Sequence, residues 1–231
     1  MSINFPLLFV ALVLLWFPRQ WLRLGSVLIK RRSRKNPDQA LAATEPWNVR
    51  EPGDPRVHFG TEFSKFRNYV DLVRAVAGGV CITGGLRVDS CLQLADGAPA
   101  SQVKGLIAIK ALILLLGLLI QAMRYEKHRF TFYPPIFFLA GLSVPLCEPY
   151  AALFAFVSIW AINPIFASAQ GFLTIYAVLM VAFGQYFAGL GDKTAMFAGF
   201  LCFLPVLLSL LANRPLVIFA RKTHHSSAAT T

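Results

Sequence analysis

Residues 105–213 form a nearly unbroken apolar block, and this block constrains the fold more than any other part of the sequence. A membrane-spanning helix needs about 20 apolar residues, because the hydrocarbon core is about 30 Å thick and a helix rises about 1.5 Å per residue. The block divides into five segments of about that length, joined by links so short that neighbouring helices must run antiparallel. The five predicted spans are residues 105–123, 130–147, 150–166, 171–190 and 196–212.

The secondary structure of these spans follows from the medium around them. Lipid offers no hydrogen-bond partner to a bare backbone, so only helices and closed barrels cross a membrane. Barrel strands alternate apolar and polar residues, whereas this block does not. Residues 5–17 and 68–86 are two further apolar segments. The sequence therefore predicts an all-α, polytopic transmembrane helical bundle of about seven spans, or six if residues 5–17 lie on the membrane surface.

The segments outside the bundle differ from it in composition. Residues 1–35 are predicted to hold the first membrane helix and then a basic interfacial helix, and residues 36–67 a cytoplasmic segment interrupted by proline and glycine. Residues 68–213 are the predicted transmembrane bundle. Residues 214–231 are predicted to be a basic cytoplasmic tail with a disordered end.

The net charge of +11 is distributed very unevenly. With seven spans, all but four of the 22 Lys and Arg residues fall on one side of the membrane. Basic residues concentrate on the cytoplasmic side of membrane proteins. We therefore expect an integral protein of a plasma membrane or bacterial inner membrane, with its N-terminus outside and its C-terminus in the cytoplasm. Because the charge reports topology, we expect no nucleic-acid partner. The four exceptions are Arg87, Lys104, Lys110 and Lys193.

Five basic residues crowd together just before the cytoplasmic segment. Each one near an anionic leaflet contributes about 1 kcal/mol to membrane binding, so the run predicts contact with anionic lipid headgroups. A stop-transfer signal that fixes orientation is the alternative, and the two roles are compatible. The candidate headgroup contacts are Lys30, Arg31, Arg32, Arg34 and Lys35.

Several aromatic residues punctuate residues 36–67, a segment too short to bury a core of its own. We expect this segment to drape over the bundle or to bind a partner, either another membrane protein or a second copy of the chain. The candidate docking residues are Trp47, Phe59, Phe63 and Phe66. Within the next span, the small residues Ala75 and Gly79 predict close approach of another helix.

Polar side chains at membrane depth are costly and therefore indicate function by default. We interpret five of them as a candidate intramembrane polar site for a substrate or a proton. The alternative is that the lysine reaches the interface and the acidic residues belong to solvated loops. The five residues are Lys110, Gln121, Glu148, Gln185 and Asp192.

Sequence signatures of catalysis are missing. The chain has no HExxH, GxSxG, GxxxxGK[ST] or CxxC sequence, so we predict no catalytic residue, no metal site and no cofactor. The four cysteines are interpreted as small buried apolar residues, with a Cys91–Cys147 disulfide as the alternative.

One short string has a counterpart elsewhere. Residues 191–194, Gly-Asp-Lys-Thr, resemble the core of the manganese/calcium–proton exchanger family motif. That family carries an acidic residue two positions before the glycine and has two copies of the motif. This chain has Gly189 at that position and a single copy, so no function is transferred from the resemblance.

These observations favour a non-enzymatic subunit, or an accessory or scaffold component, of a membrane complex. A transporter of ions or small solutes that uses the polar residues in the bundle is the alternative. A third class is an enzyme acting on lipid headgroups, which Arg31, Arg32, Arg124 and Arg129 would hold at the inner leaflet.

Overall fold

A computed structural model, which describes residues 2–18, 56–85, 89–95, 97–126, 129–214 and 216, shows a predominantly helical chain. The α-helices in these residues are α1 (Phe5–Trp16), α2 (Phe59–Phe63), α3 (Phe66–Thr83), α4 (Ala100–Ala122), α5 (Ile136–Leu146), α6 (Pro149–Ala161), α7 (Ala169–Ala188) and α8 (Lys193–Leu211). Helices α4, α7 and α8 are long and apolar enough to cross a membrane. They correspond to the predicted spans 105–123, 171–190 and 196–212.

The other apolar helices are shorter than the spans predicted for them. Helices α1, α5 and α6 have 12, 11 and 13 residues, which gives lengths of about 16–20 Å against a hydrocarbon core of about 30 Å. Prolines account for two of the boundaries, since Pro135 precedes α5 and Pro149 opens α6. The apolar run after α6 breaks into a 3₁₀ turn at Asn163–Ile165. The structure thus supports three spans, and the seven-span bundle stays a prediction.

Two short β-ribbons, which the sequence did not predict, join segments at the two ends of the bundle. Strand β1 (Ser2–Ile3) pairs with β2 (Leu92–Gln93) in the loop after α3. Strand β3 (Met123–Glu126) continues α4 and pairs with β4 (Arg129–Phe132). This ribbon occupies the link between the spans predicted at residues 105–123 and 130–147. Leu216 forms a bridge with Phe132. The N-terminus therefore lies at the end where α3 finishes, and Leu216 lies at the end where α4 finishes.

Small residues set the distance between the most closely packed helices. Helix α3 packs along α5, and a Cβ atom added to Gly141 would collide with the Leu72 carbonyl oxygen and lie 2.7 Å from the Ala75 Cβ. One added to Gly79 would lie 2.6 Å from the Pro145 Cγ. The close approach predicted at Ala75 and Gly79 is confirmed, and the helix that approaches is α5 of the same chain.

Helices α7 and α8 form a second closely packed pair. A Cβ on Gly184 of α7 would collide with Ala195, and a Cβ on Gly199 of α8 would collide with Val181. Between the two helices the chain reverses through Gly189 and Gly191, whose φ angles of +99° and +93° are easily adopted only by glycine. The reversal makes the two helices antiparallel, as the short predicted link requires.

Candidate functional site

A cavity of about 620 Å³ opens at the end of the bundle where α5 passes into α6. Two of the five predicted polar-site residues, Glu148 and Asp192, line this cavity, although 44 positions separate them in the sequence. The cavity therefore combines two carboxylates with an apolar wall. Its full lining is Gly85, Val144, Pro145, Leu146, Cys147, Glu148, Pro149, Tyr150, Ala188, Asp192 and Thr194.

Asp192 caps the first turn of α8. Its carboxylate accepts hydrogen bonds from the Thr194 backbone N–H at 3.1 Å, the Thr194 hydroxyl at 2.7 Å and the Ala195 N–H at 3.3 Å. Slight burial raises the pKa of Asp192, but these hydrogen bonds from Thr194 and Ala195 outweigh that effect and lower the pKa overall. The Gly-Asp-Lys-Thr string is thus a helix cap in this fold, with its aspartate at the N-cap position.

Replacing Asp192 by alanine should cost about 1 kcal/mol of unfolding free energy at neutral pH, because the first turn of α8 loses its cap. Since the folded-state pKa lies below the unfolded value, this contribution is present above the unfolded pKa and is lost as pH falls through the folded pKa. Unfolding of the purified protein in detergent, measured between pH 7 and pH 3, should show the deficit shrinking. Asp192→Asn, which keeps a capping oxygen, is the control. An alanine deficit that is equal at both ends of the range would contradict the assignment.

Gln185, a third predicted site residue, holds the turn between α7 and α8. Its side-chain amide donates to the Asp192 carbonyl oxygen at 2.8 Å, and its Oε1 accepts from the Gly191 N–H at 2.5 Å. Thr174 donates to the Gln170 carbonyl oxygen of its own helix. Because α7 ends at Ala188, Asp192 does not lie on the same helix as Thr174 and Gln185.

The remaining two predicted site residues lie away from the cavity. Lys110 lies near Cys91 of the loop after α3, where its ammonium acts on the thiol. Gln121 is at the end of α4 where α5 begins, whereas Glu148 follows the other end of α5. The structure therefore divides the predicted polar site into three separate places.

A buried polar network, built from elements far apart in sequence, occupies the end of the bundle where Gln121 lies. The Arg74 guanidinium makes an ion pair with Asp71 at 2.8 Å, and their side chains are only 7% and 3% exposed. It also donates to the Gln121 Oε1 at 2.7 Å and to the Phe17 carbonyl oxygen at 2.5 Å. Its Cζ lies 5.4 Å from the centroid of the Phe138 ring.

Gln121 completes this network by holding the end of α1. Its amide nitrogen donates to the carbonyl oxygens of Leu15 at 3.1 Å and Phe17 at 2.9 Å, acceptors that a helix end leaves without intrahelical donors. On the same face of α4, Gly117 lies against Leu15, where an added Cβ atom would be 3.4 Å from the Leu15 Cβ. Gly117 and Gln121 lie on one face of α4, and α1 packs on that face. The three-residue spacing of Asp71 and Arg74 lets them pair on one helix, whereas no local pattern in the sequence indicates that Gln121 joins them.

The docking aromatics that the structure describes contact the chain itself to different degrees. The Phe63 ring lies 4.9 Å from that of Trp160 and 5.1 Å from that of Phe137. Phe59 stacks on Phe63 at 4.3 Å and remains 53% exposed. Phe66 is 79% exposed. Phe63 therefore anchors the segment after residue 55 to the bundle, while Phe59 and Phe66, the other two docking residues that the structure describes, keep exposed surface for a partner.

Several predicted residues lie outside the described part of the chain. They are the docking residue Trp47 and the headgroup contacts Lys30, Arg31, Arg32, Arg34 and Lys35. The interfacial helix predicted to contain those contacts and the tail after residue 216 lie outside it as well. Their predicted roles stay predictions.

No family model, curated protein or solved structure matches this chain. Its site must therefore be interpreted from its own geometry. Within the described residues, no group of three or more His, Cys, Asp or Glu side chains is arranged to hold a metal ion. Among the polar assemblies in the described part of the chain are the cavity with Glu148 and Asp192 and the network around Arg74.

Proposed function

We propose that this protein is a non-enzymatic subunit, or an accessory or scaffold component, of a membrane complex. The proposal rests on how the buried polar side chains of the described residues are bonded. Each buried Asn, Asp, Arg, Gln and Ser side chain forms at least one hydrogen bond or ion pair within the chain, whereas the buried Trp160 Nε1 has no hydrogen-bond partner among the described residues. The bonded side chains are Asn68, Asp71, Arg74, Gln121, Ser143, Asn163 and Ser209.

Several of these bonds join separate elements, whereas Ser143 bonds within α5 and Asp71 pairs with Arg74 within α3. Asn163, just after α6, donates to the Val57 carbonyl oxygen at 2.8 Å, and Ser209 of α8 donates to the Arg214 carbonyl oxygen. A transporter or an enzyme needs buried polar groups that face a ligand and change partners during turnover. Groups that tie helix ends and loops together instead favour a fixed framework, and a framework is what a structural subunit requires.

An aromatic patch on α6 and α7 is the surface best suited to a partner. The rings of Phe154 and Phe187 stack with centroids 5.6 Å apart, and Phe183 lies 6.0 Å from Phe154. Tyr186 meets Phe187 edge-on at 5.1 Å while remaining 80% exposed. Rings already packed against one another lose little freedom on binding, and aromatic residues are enriched in interfaces. We propose that this patch, named here the Phe154 patch, contacts another membrane protein.

The orientation belongs to the same proposal. The strand pairing of Ser2–Ile3 with Leu92–Gln93 and the bridge between Phe132 and Leu216 lie at opposite ends of the bundle. This arrangement supports termini on opposite sides of the membrane, and the distribution of Lys and Arg along the sequence is what leads us to propose the N-terminus outside and the C-terminus in the cytoplasm. The basic run at residues 30–35, which we propose contacts anionic lipids, would then lie at the inner leaflet.

A second candidate function rests on the cavity lined by Glu148 and Asp192. Two carboxylates at the mouth of a space of about 620 Å³ would attract a small cation or a basic solute. Asp192 is already engaged as a helix cap, so Glu148 would carry the interaction. This arrangement favours a transporter over an enzyme as the alternative.

One experiment separates the two candidates. A photo-reactive residue at Tyr186 in the tagged full-length protein should form an adduct of one defined mass in native membranes, and that partner should co-purify in mild detergent. The same residue at Leu112, which is 55% exposed on α4, is the matched control and should form none. Combined alanine replacement of Phe154 and Phe187 should lower recovery of the partner about tenfold, as expected for a loss of about 1.4 kcal/mol.

The opposite pattern would reject the subunit. It consists of a strictly monomeric protein with no adduct at either position, together with cation flux in proteoliposomes that Glu148→Gln abolishes. Flux that Glu148→Gln leaves unchanged would remove the cavity from consideration.

A further inference from the structure

Two cysteines meet where the loop after α3 folds back on the end of that helix. The Cys91 backbone N–H donates to the Cys81 carbonyl oxygen at 2.8 Å. Since a backbone nitrogen lies about 1.5 Å and a carbonyl oxygen about 2.4 Å from its own Cα atom, this hydrogen bond keeps the two Cα atoms within about 6.7 Å, and disulfides join cysteines whose Cα atoms lie roughly 4.4–6.8 Å apart. The backbone is therefore already at the spacing that a disulfide needs, although both residues are free thiols in this structure.

Hydrogen bonds on both sides hold this arrangement in place. The Ser90 hydroxyl donates to the Ile82 carbonyl oxygen at 2.7 Å, which fixes the loop to the last turn of α3. The Asn4 N–H donates to the Cys91 carbonyl oxygen at 2.9 Å, next to the ribbon formed by β1 and β2. These bonds hold the backbone of Cys91 between the N-terminal segment and the last turn of α3.

The two thiols differ in access and are influenced by a nearby cation. Cys81 is half-buried, whereas Cys91 is 1% exposed. Burial raises the pKa of the Cys91 thiol and the neighbouring Cys81 thiol raises it further, while the Lys110 ammonium acts in the opposite direction. The pair thus combines one partly exposed sulfur with one buried sulfur, and the Lys110 ammonium is close enough to lower the pKa of the buried thiol.

We propose that Cys81 and Cys91 are an oxidisable pair that closes an intrachain disulfide by exchange with a donor disulfide. The Cys81 thiolate attacks one donor sulfur, breaks the donor S–S bond and releases one donor thiolate. The Cys91 thiolate then attacks the Cys81 sulfur and displaces the second donor thiolate. One S–S bond forms and one breaks, so the two electrons and two protons lost by the cysteines convert the donor into two thiols. Lys110 stabilises the thiolate that attacks second.

The other two cysteines serve as an internal comparison. The Cys147 sulfur lies 3.9 Å from the sulfur of Met180, and Cys202 is 1% exposed in the core. The Cys91–Cys147 disulfide considered from the sequence is not favoured, because the Cys91 backbone is bonded to that of Cys81, whereas Cys147 lies against Met180 of α7. Replacing Cys147 and Cys202 with alanine should therefore leave the proposed pair intact.

The test uses the full-length protein, purified reduced in detergent, equilibrated with glutathione and glutathione disulfide, quenched with acid and alkylated after denaturation. Peptide mass spectrometry should find one linked pair containing Cys81 and Cys91, and alkylated cysteines should fall from four to two. The Cys147→Ala/Cys202→Ala variant should give the same link. Cys91→Ala should leave Cys81 either alkylated or carrying glutathione. If Cys91→Ala does not fold, the peptide map of the unmodified protein decides alone.

Three results would overturn the proposal. They are four alkylated cysteines at every ratio of glutathione disulfide to glutathione, a first link between Cys147 and Cys202, and links only between separate chains. Replacing Lys110 by methionine gives a further readout, since loss of its charge should slow closure at neutral pH without changing which cysteines are joined. An unchanged rate would remove Lys110 from the proposed chemistry.

Discussion

The replacement of Gly141 by valine is expected to destabilise the bundle by about 3 kcal/mol or more. Even the Cβ atom would collide with the Leu72 carbonyl oxygen and lie 2.7 Å from the Ala75 Cβ. Neither obstacle is the flexible end of a side chain, so helices α3 and α5 would have to separate. That separation would weaken the best-packed helix pair and displace Phe138, which lies on the same helix as Gly141 and contacts Arg74.

A matched substitution isolates this effect from the helix propensity of valine. Gly105→Val also places a β-branched residue inside a helix, but a Cβ atom there meets nothing within 4 Å. Unfolding in mixed detergent, followed by circular dichroism, should show a large loss of stability for Gly141→Val and a small one for Gly105→Val. Equal losses would show that α3 and α5 are not packed as described.

The second large effect should follow removal of the charge on Arg74. Arg74→Met is expected to cost about 3–5 kcal/mol, because it leaves the Asp71 carboxylate buried without its cation. The substitution also removes the donors that Arg74 directs at Gln121 and at the Phe17 carbonyl oxygen. The end of α1 should loosen together with the global loss of stability, so hydrogen exchange of residues 12–17 should speed up.

The carboxylate itself provides the control. Combining Asp71→Asn with Arg74→Met removes both charges and should recover part of the stability that Arg74→Met alone loses, because no unpaired charge stays buried. Lys104→Met, which removes an exposed cation from α4, should change stability by less than about 1 kcal/mol. A double variant as unstable as the single one would show that the pair does not act through its charges.

Hydropathy along the chain predicted the long helices well. Helices α4, α7 and α8 fall where apolar runs of sufficient length occur, because the match between helix length and hydrocarbon thickness is a local property of sequence. The runs assigned to residues 130–147 and 150–166 instead contain short helices bounded by Pro135, Pro149 and the turn at Asn163–Ile165. The hydropathy of a segment depends on its number of apolar residues, but it does not show where prolines and turns end a helix.

The aromatic segment shows a different kind of limit. The sequence singles out its rings as contact residues; among those described, Phe63 packs on Phe137 and Trp160 of its own bundle, whereas Phe66 stays 79% exposed. A sequence pattern indicates that a ring will be buried against something, because burial of aromatic surface is favourable wherever it occurs. Whether that surface belongs to the same chain or to a partner depends on where the helices place the complementary rings.

By itself the sequence determined that this protein is helical and that much of it is apolar enough to enter a membrane, because these properties add up residue by residue. Only the tertiary structure decided which polar groups meet. Arg74 and Gln121 are 47 positions apart and bonded, whereas Lys110 and Asp192, interpreted together as part of one site, lie in different places. The physical reason is that contacts between side chains of different helices depend on the distance between the helix axes. Glycine contacts such as the one between Gly141 and Leu72 set that distance.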